Sequence, residues 1–66
     1  MKTSNPLDVM RMALERERMA VRDYSEFAKT AEEPSIREMF AFLAEEEKKH
    51  AKLLEDEIDR EQNQEM

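Results

Sequence analysis

Residues 36–58 read IREMFAFLAEEEKKHAKLLEDEI, and the spacing of their large apolar side chains decides the fold. These side chains are Ile36, Phe40, Leu43, Leu54 and Ile58. Steps of three and four, typical of one face of a helix, run through the segment only if positions 47 and 50 are counted. Those positions hold Glu47 and His50. A helical stripe is therefore interrupted at its middle by two groups that packing does not explain.

The first half of the chain carries a matching stripe. Its apolar members are Leu7, Met10, Leu14, Val21, Tyr24, Ala28 and Ala31. They alternate by three and four once position 17, a glutamate, is included. We therefore predict two amphipathic helices, each with a polar break near its midpoint.

The first helix has a clear start signal. Asn5 is a candidate N-cap, and Pro6 suits the first helical position because its missing N–H has no partner there. We predict this helix over about 6–31.

The second helix has two candidate start signals. One is Glu33-Pro34-Ser35, and the other is the capping box Ser35-Ile36-Arg37-Glu38. We predict the helix over about 35–60. The polar stretch 59–66 loses the periodicity and is expected to fray.

The composition indicates one all-α domain that needs help to be stable. Below ~70–80 residues a single core rarely supplies more than ~3–5 kcal/mol. The chain has 66 residues and no cysteine, which excludes disulfides and thiolate-bound metal sites. It has no glycine and is rich in strong helix formers. Metal binding, oligomerisation or both must supply the remaining stability.

Charge and hydropathy argue against two classes of partner. The net charge is -6 and the cations are interleaved with acids, so nucleic acid is not an expected partner. No apolar run approaches the ~20 residues of a membrane span, and the chain does not begin with a signal peptide. We expect a soluble, cytoplasmic protein that does not bind membranes.

A short turn between two long amphipathic helices predicts an antiparallel hairpin. Such a hairpin covers only one side of each apolar stripe, so a second hairpin is needed to cover the rest. We predict that residues 1–66 form a single domain, a hairpin that homodimerises into a four-helix bundle.

The three polar breaks are expected to converge. Glu17 lies 16 residues before Glu33 and Glu47 lies 14 after it, so the two carboxylates are level within about 3 Å. His50 lies one turn beyond Glu47 on the same face. A two-fold axis at this height would bring a second trio opposite the first.

Four glutamates and two histidines are the ligand set of di-iron carboxylate bundles. Carboxylate and imidazole donors suit iron, or manganese as an alternative, and two divalent cations balance four carboxylates. We predict Glu17, Glu47 and His50 as ligands for two iron ions per dimer. Each signal also has a plainer interpretation, in which Glu47 belongs to an exposed charged face and Glu17 sets the helix register.

Two segments carry a family resemblance. Residues 17–28 (ERMAVRDYSEFA) and 39–51 (MFAFLAEEEKKHA) resemble the rubrerythrin branch of the ferritin-like superfamily. Within that branch the chain is most similar to the encapsulated ferritins, whose ferroxidase site forms across a dimer interface. The resemblance implies that Glu17, Glu47 and His50 are iron ligands and that Tyr24 lies beside them.

The resemblance implies a di-iron ferroxidase that oxidises Fe(II) to Fe(III) with dioxygen or peroxide, for iron detoxification or storage. It also implies an encapsulin shell as a partner, with the protein inside that compartment. Two alternatives stay open. One is a rubrerythrin-like peroxidase with an external electron donor, and the other is a non-enzymatic helical dimerisation module.

Two further features allow two interpretations each. Tyr24 is either a core aromatic residue or a hydrogen-bond donor to a ligand carboxylate in a catalytic role. Met12, Met19 and Phe42 lie beside the main stripes. They either widen the core face or form a second interface that builds dimers into a ring-like oligomer.

Overall fold

Two helices joined by a three-residue turn form the protein, as a computed structural model describing residues 5–63 shows. α1 spans Pro6–Thr30 and α2 spans Pro34–Asn63. The helices pack side by side with overall extents of 50 × 25 × 11 Å, so the hairpin is one helix thick. The predicted all-α hairpin is confirmed.

Both ends of α1 have identifiable caps. The Asn5 side-chain Oδ1 accepts a hydrogen bond of 2.9 Å from the Leu7 N–H, and Pro6 occupies the first turn, as predicted. At the other end Ala31 has extended backbone angles, φ -64° and ψ 139°, while its N–H still donates to the Phe27 carbonyl at 2.9 Å. The helix therefore ends at Thr30, one residue before the predicted boundary.

The proline signal, rather than the capping box, sets the start of α2. The Glu33 carbonyl accepts from the N–H groups of Ile36 at 3.1 Å and Arg37 at 2.9 Å. Pro34 is consequently the first helical residue, and Ser35 lies inside the helix.

Arg37 closes the turn from within α2. Its Nη1 donates to the carbonyls of Ala31 and Glu32, at 3.0 Å each. Carbonyl groups at a helix C-terminus have no partner within their own helix, so this guanidinium supplies one. The two helices are thereby linked at the turn.

α2 is longer than predicted at its C-terminal end. It continues to Asn63, three residues beyond the expected boundary, and residues 64–66 lie outside the described range. Lys52 pairs with Asp56 at 3.0 Å, and Arg60 pairs with Glu57. Pairs spaced by three or four residues support a helix whose sequence has lost its apolar periodicity.

The contact between the helices is centred on a small apolar cluster. Leu14, Ala51 and Ile58 are buried in it, and partly buried neighbours pack around them: Leu7, Met10 and Leu54. Within residues 5–63 no polar side chain is buried. Neither helix in that range combines the length and apolar character needed to cross a bilayer.

The face of α2 that meets α1 is rotated from the predicted stripe. The buried positions are Ala44, Ala51 and Ile58, which recur every seven residues. Ile36 belongs to the predicted stripe but is 46% exposed. The small alanine side chains let the two helices approach closely at these positions. Other members of the predicted stripe, such as Phe40, still pack against α1.

Candidate metal centre

Each of the three predicted ligands lies in the middle of its helix. Glu17 is one turn from the buried Leu14 on α1, so it borders the contact between the helices. Glu47 lies between the buried residues Ala44 and Ala51 on α2. His50 follows Glu47 by three residues, which places both side chains on neighbouring positions of one helix face.

The structure brings these three side chains together. The His50 Nδ1 lies 3.0 Å from Glu47 Oε1 and 3.6 Å from Glu17 Oε2. One donor atom from each residue falls within a group whose members are all less than 4.8 Å apart. Because a carboxylate only accepts hydrogen bonds, the imidazole Nδ1–H donates to Glu47.

The two carboxyl groups influence each other strongly. The pKa of Glu17 is raised, mainly because its carboxyl is hydrogen-bonded to Glu47, with desolvation and repulsion from Glu47 adding to the effect. The pKa of Glu47 is lowered, because it accepts hydrogen bonds from Glu17 and His50. Two carboxylates at this distance repel each other when both are ionised, and a cation between them would balance their charges.

The donor set fits a first-row divalent metal. Two carboxylates and one imidazole suit iron or manganese, and the chain has no cysteine to supply a thiolate. The side chains are only partly covered, with exposed fractions of 27% for Glu17, 23% for Glu47 and 52% for His50. Three donors from one chain do not complete the coordination of such an ion, so further ligands must come from the open side.

Uncovered apolar side chains surround that open side. Val9 and Phe27 on α1 are exposed, as are Ile36 and Met39 on α2. At about 100° per residue they lie on the same side of their helices as the metal-ligand trio. We call these four residues the open face. Water contacts both the apolar surface and the trio on this side of the hairpin.

A second group of exposed apolar side chains points sideways. Met12 and Met19 lie on the edge of α1 farthest from α2, and Phe42 and Leu53 lie on the opposite edge of α2. Sequence reasoning placed the first three beside the main stripes and did not single out Leu53. These edges do not contribute to the trio.

Tyr24 is close to the trio in sequence but is part of an aromatic cluster in the structure. Its ring stacks on Phe40 with centroids 6.0 Å apart, and Phe27 packs on the same Phe40 ring at 5.1 Å. Within residues 5–63 its hydroxyl makes no hydrogen bond to a ligand carboxylate. Its role as a donor to the metal ligands stays a prediction.

Sequence reasoning missed the aromatic cluster, although a signal was available. Counted from Glu33, Tyr24 lies 9 residues before and Phe40 lies 7 after, which is the same difference of two as for Glu17 and Glu47. Residues paired in this way across an antiparallel hairpin are level with each other. The same count that aligned the carboxylates therefore also aligns these rings.

Comparison with known proteins gives one match. A family model described as Rubrerythrin matches residues 8–66. Searches of curated proteins and of solved structures found no match.

Proposed function

Because the chain belongs to the rubrerythrin family of ferritin-like proteins, we propose that it is a di-iron ferroxidase whose site is shared by two chains. The observation that carries the proposal is the convergence of Glu17, Glu47 and His50 within 4.8 Å on the side of the hairpin that has no cover. The substrate is Fe(II), the oxidant is dioxygen or peroxide, and the purpose is iron detoxification or storage.

A second copy of the chain completes the site in this proposal. Two trios supply four carboxylates and two imidazoles, which is the ligand set of di-iron carboxylate bundles. The open face supports this arrangement, because large apolar side chains around the trio need burial that one hairpin does not provide. A 66-residue chain also gains most of its missing core from a partner.

The side chains of the trio have separate tasks. Glu17 and Glu47 repel each other when both are ionised, which contributes to the raised pKa of Glu17, and a bound cation would relieve this repulsion. The imidazole Nδ1 of His50 lies near both carboxylates, and in the tautomer with its proton on Nε2 it would offer its lone pair to the same ion.

The overall reaction balances without further residues. Two Fe(II) ions each lose one electron to become Fe(III), and dioxygen takes up both electrons and two protons to leave as hydrogen peroxide. With peroxide as oxidant, its O–O bond breaks and two protons yield two waters. When bound, iron supplies the one-electron chemistry that no side chain of this cysteine-free chain supplies.

Manganese could occupy the same donor set. An encapsulin shell as the surrounding compartment stays a prediction from the resemblance to encapsulated ferritins.

Anaerobic titration with Fe(II) tests the proposal, followed by admission of air and monitoring of absorbance. We expect uptake near one iron per chain and an Fe(III) signal after oxygen is added. Glu47→Gln should abolish both, whereas Glu45→Gln should not, since Glu45 is exposed and pairs only with Lys48 at 2.9 Å. Absence of saturable uptake in the parent protein would reject the metal site.

Light scattering tests the shared site separately. A metal that binds only the dimer shifts the equilibrium toward it by mass action. The mass should increase to that of a dimer with Fe(II) and decrease when iron is removed at low chain concentration. A mass that stays monomeric while iron is bound and oxidised would leave the ferroxidase intact but reject the interface.

A further inference from the structure

The side of the hairpin opposite the open face has a groove of different character. It has a volume of about 460 Å³ and lies between the two helices. Its lining residues are Arg18, Val21, Arg22, Lys48, Ala51, Lys52 and Glu55. We call this the rear groove. Four of its seven lining residues are cationic and one is anionic, in a chain with a net charge of -6.

The spacing of these cations is unusual for this chain. Arg18 and Arg22 are four residues apart on α1, and Lys48 and Lys52 are four residues apart on α2. Like charges at this spacing repel each other and destabilise a helix. No other two cations of the sequence are four residues apart. These two like-charged pairs face each other across one groove.

The existing partners of these cations are weakly held. Arg18 pairs with Glu55 at 3.1 Å, and both side chains are more than 40% exposed. Lys48 pairs with Glu45 at 2.9 Å and Lys52 pairs with Asp56 at 3.0 Å, each on its own helix. Arg22 has no ion pair or hydrogen bond of its side chain among residues 5–63. Exposed ion pairs contribute little to stability, so these cations can turn toward another anion at small cost.

The floor of the groove is narrow and apolar. It consists of Val21 and Ala51, and Ala51 is buried against α1. A ligand seated there would lose water on one side while two guanidinium groups and two ammonium groups approach it from the walls. Guanidinium forks with nearby ammonium charges are the arrangement that recognises phosphate oxygens.

We propose that the rear groove binds a small anion bearing phosphate groups. Acids at the rim set its size, because Glu45 and Asp56 stand behind the two lysines and would repel a long polyanion such as a nucleic acid. A compact dianion fits between the walls without meeting those carboxylates. In the proposed dimer the open faces are covered, so the rear groove stays accessible to solvent.

Isothermal titration of the metal-depleted chain with inorganic pyrophosphate, inorganic phosphate and sulfate, at constant ionic strength, tests this proposal. We expect saturable binding of phosphate or pyrophosphate at one site per chain, tighter than sulfate. The double variant Arg22→Gln/Lys52→Gln should weaken it by about tenfold or more, since two charge-assisted contacts are lost. Circular dichroism confirms that the variant remains helical.

A matched control separates the groove from the general charge of the protein. Arg16→Gln/Lys29→Gln removes the same two charges from exposed positions of α1 outside the groove. Its affinity should stay within about twofold of the parent, since exposed charges at a distance are largely screened. Equal losses in both double variants, equal binding of sulfate, or no saturable binding would each overturn the proposal. Iron uptake by Arg22→Gln/Lys52→Gln, measured in parallel, tests the proposed ferroxidase site independently of anion binding.

Discussion

Replacing Glu17 with Gln should separate the stability of the apo hairpin from the stability that metal adds. The raised pKa of Glu17 means that the folded hairpin prefers its protonated form. Ionisation at neutral pH therefore works against folding, and the destabilisation grows as pH rises through that pKa. A neutral amide removes this repulsion of Glu47. Because a quarter of the side chain is exposed, solvent keeps the effect small.

In the parent protein, the stabilisation that metal adds should be much larger than this effect of Glu17 ionisation. A metal held at 100 times its dissociation constant stabilises the state that binds it by about 2.7 kcal/mol. For a small domain each kcal/mol raises the midpoint of thermal unfolding by about 4–8 °C, so we expect an increase of roughly 10–20 °C. Glu17→Gln loses one of three donors in each chain, and this increase should largely disappear.

Thermal melts followed by circular dichroism, at fixed chain concentration with and without anaerobic Fe(II), measure both quantities. Glu17→Gln without metal should unfold at the parent's temperature or slightly above it. Glu45→Gln is the matched control, since its carboxylate is exposed and lies on another face. A full metal-induced increase in Glu17→Gln would show that Glu17 is not a ligand, and a large decrease in its apo midpoint would show that it acts as a structural residue.

Three further predictions address the core, the open face and pH. Leu14→Ala removes a buried side chain from the contact between the helices. It should lower the free energy of unfolding, measured by urea titration, by about 2–5 kcal/mol, which is enough to unfold much of the protein. An unchanged urea midpoint would mean that this contact is not the core. Phe27→Glu should convert the metal-loaded dimer to a monomer in light scattering, whereas Phe42→Glu at the outer edge should not. If both variants behaved alike, the open face would not be the dimer interface. Metal affinity should decrease as the pH is lowered, because protons compete with the metal for the carboxylates. Since the pKa of Glu17 is raised, the decrease should begin at a higher pH than it would for a glutamate with an unshifted pKa. An affinity that does not depend on pH in calorimetry would contradict this.

The sequence predicted the helices and the geometry of the trio from two local kinds of signal. Asn5 and the two prolines mark helix starts because their backbone preferences act locally. The breaks at Glu17, Glu47 and His50 locate a cluster because helix geometry converts residue counts into heights. The structure confirms the hairpin and brings the trio together, while the role of its members as ligands stays a prediction.

The sequence did not reveal which apolar residues meet within one chain. Ile36 and Leu43 continue the strongest stripe, yet the buried positions facing α1 are Ala44 and Ala51. Periodicity shows that a side chain favours burial but does not identify the neighbour that buries it. If a second copy completes the core, Ile36 and Leu43 face that copy, whereas Ala44 and Ala51 face the chain's own first helix.

The hydrogen bonds from Arg37 to the carbonyls of Ala31 and Glu32 have a consequence for how this chain tolerates change in length. Loop tips usually accept insertions. A residue added at this tip would leave α2 in place as long as Arg37 keeps both bonds, whereas one added to α2 between Arg37 and Glu47 would displace the rest of that helix by about 1.5 Å and turn it by about 100° relative to α1. Glu47 and His50 would then face away from Glu17. The turn bears no chemistry of its own, and the anchor within it is nonetheless what aligns the two halves of the site.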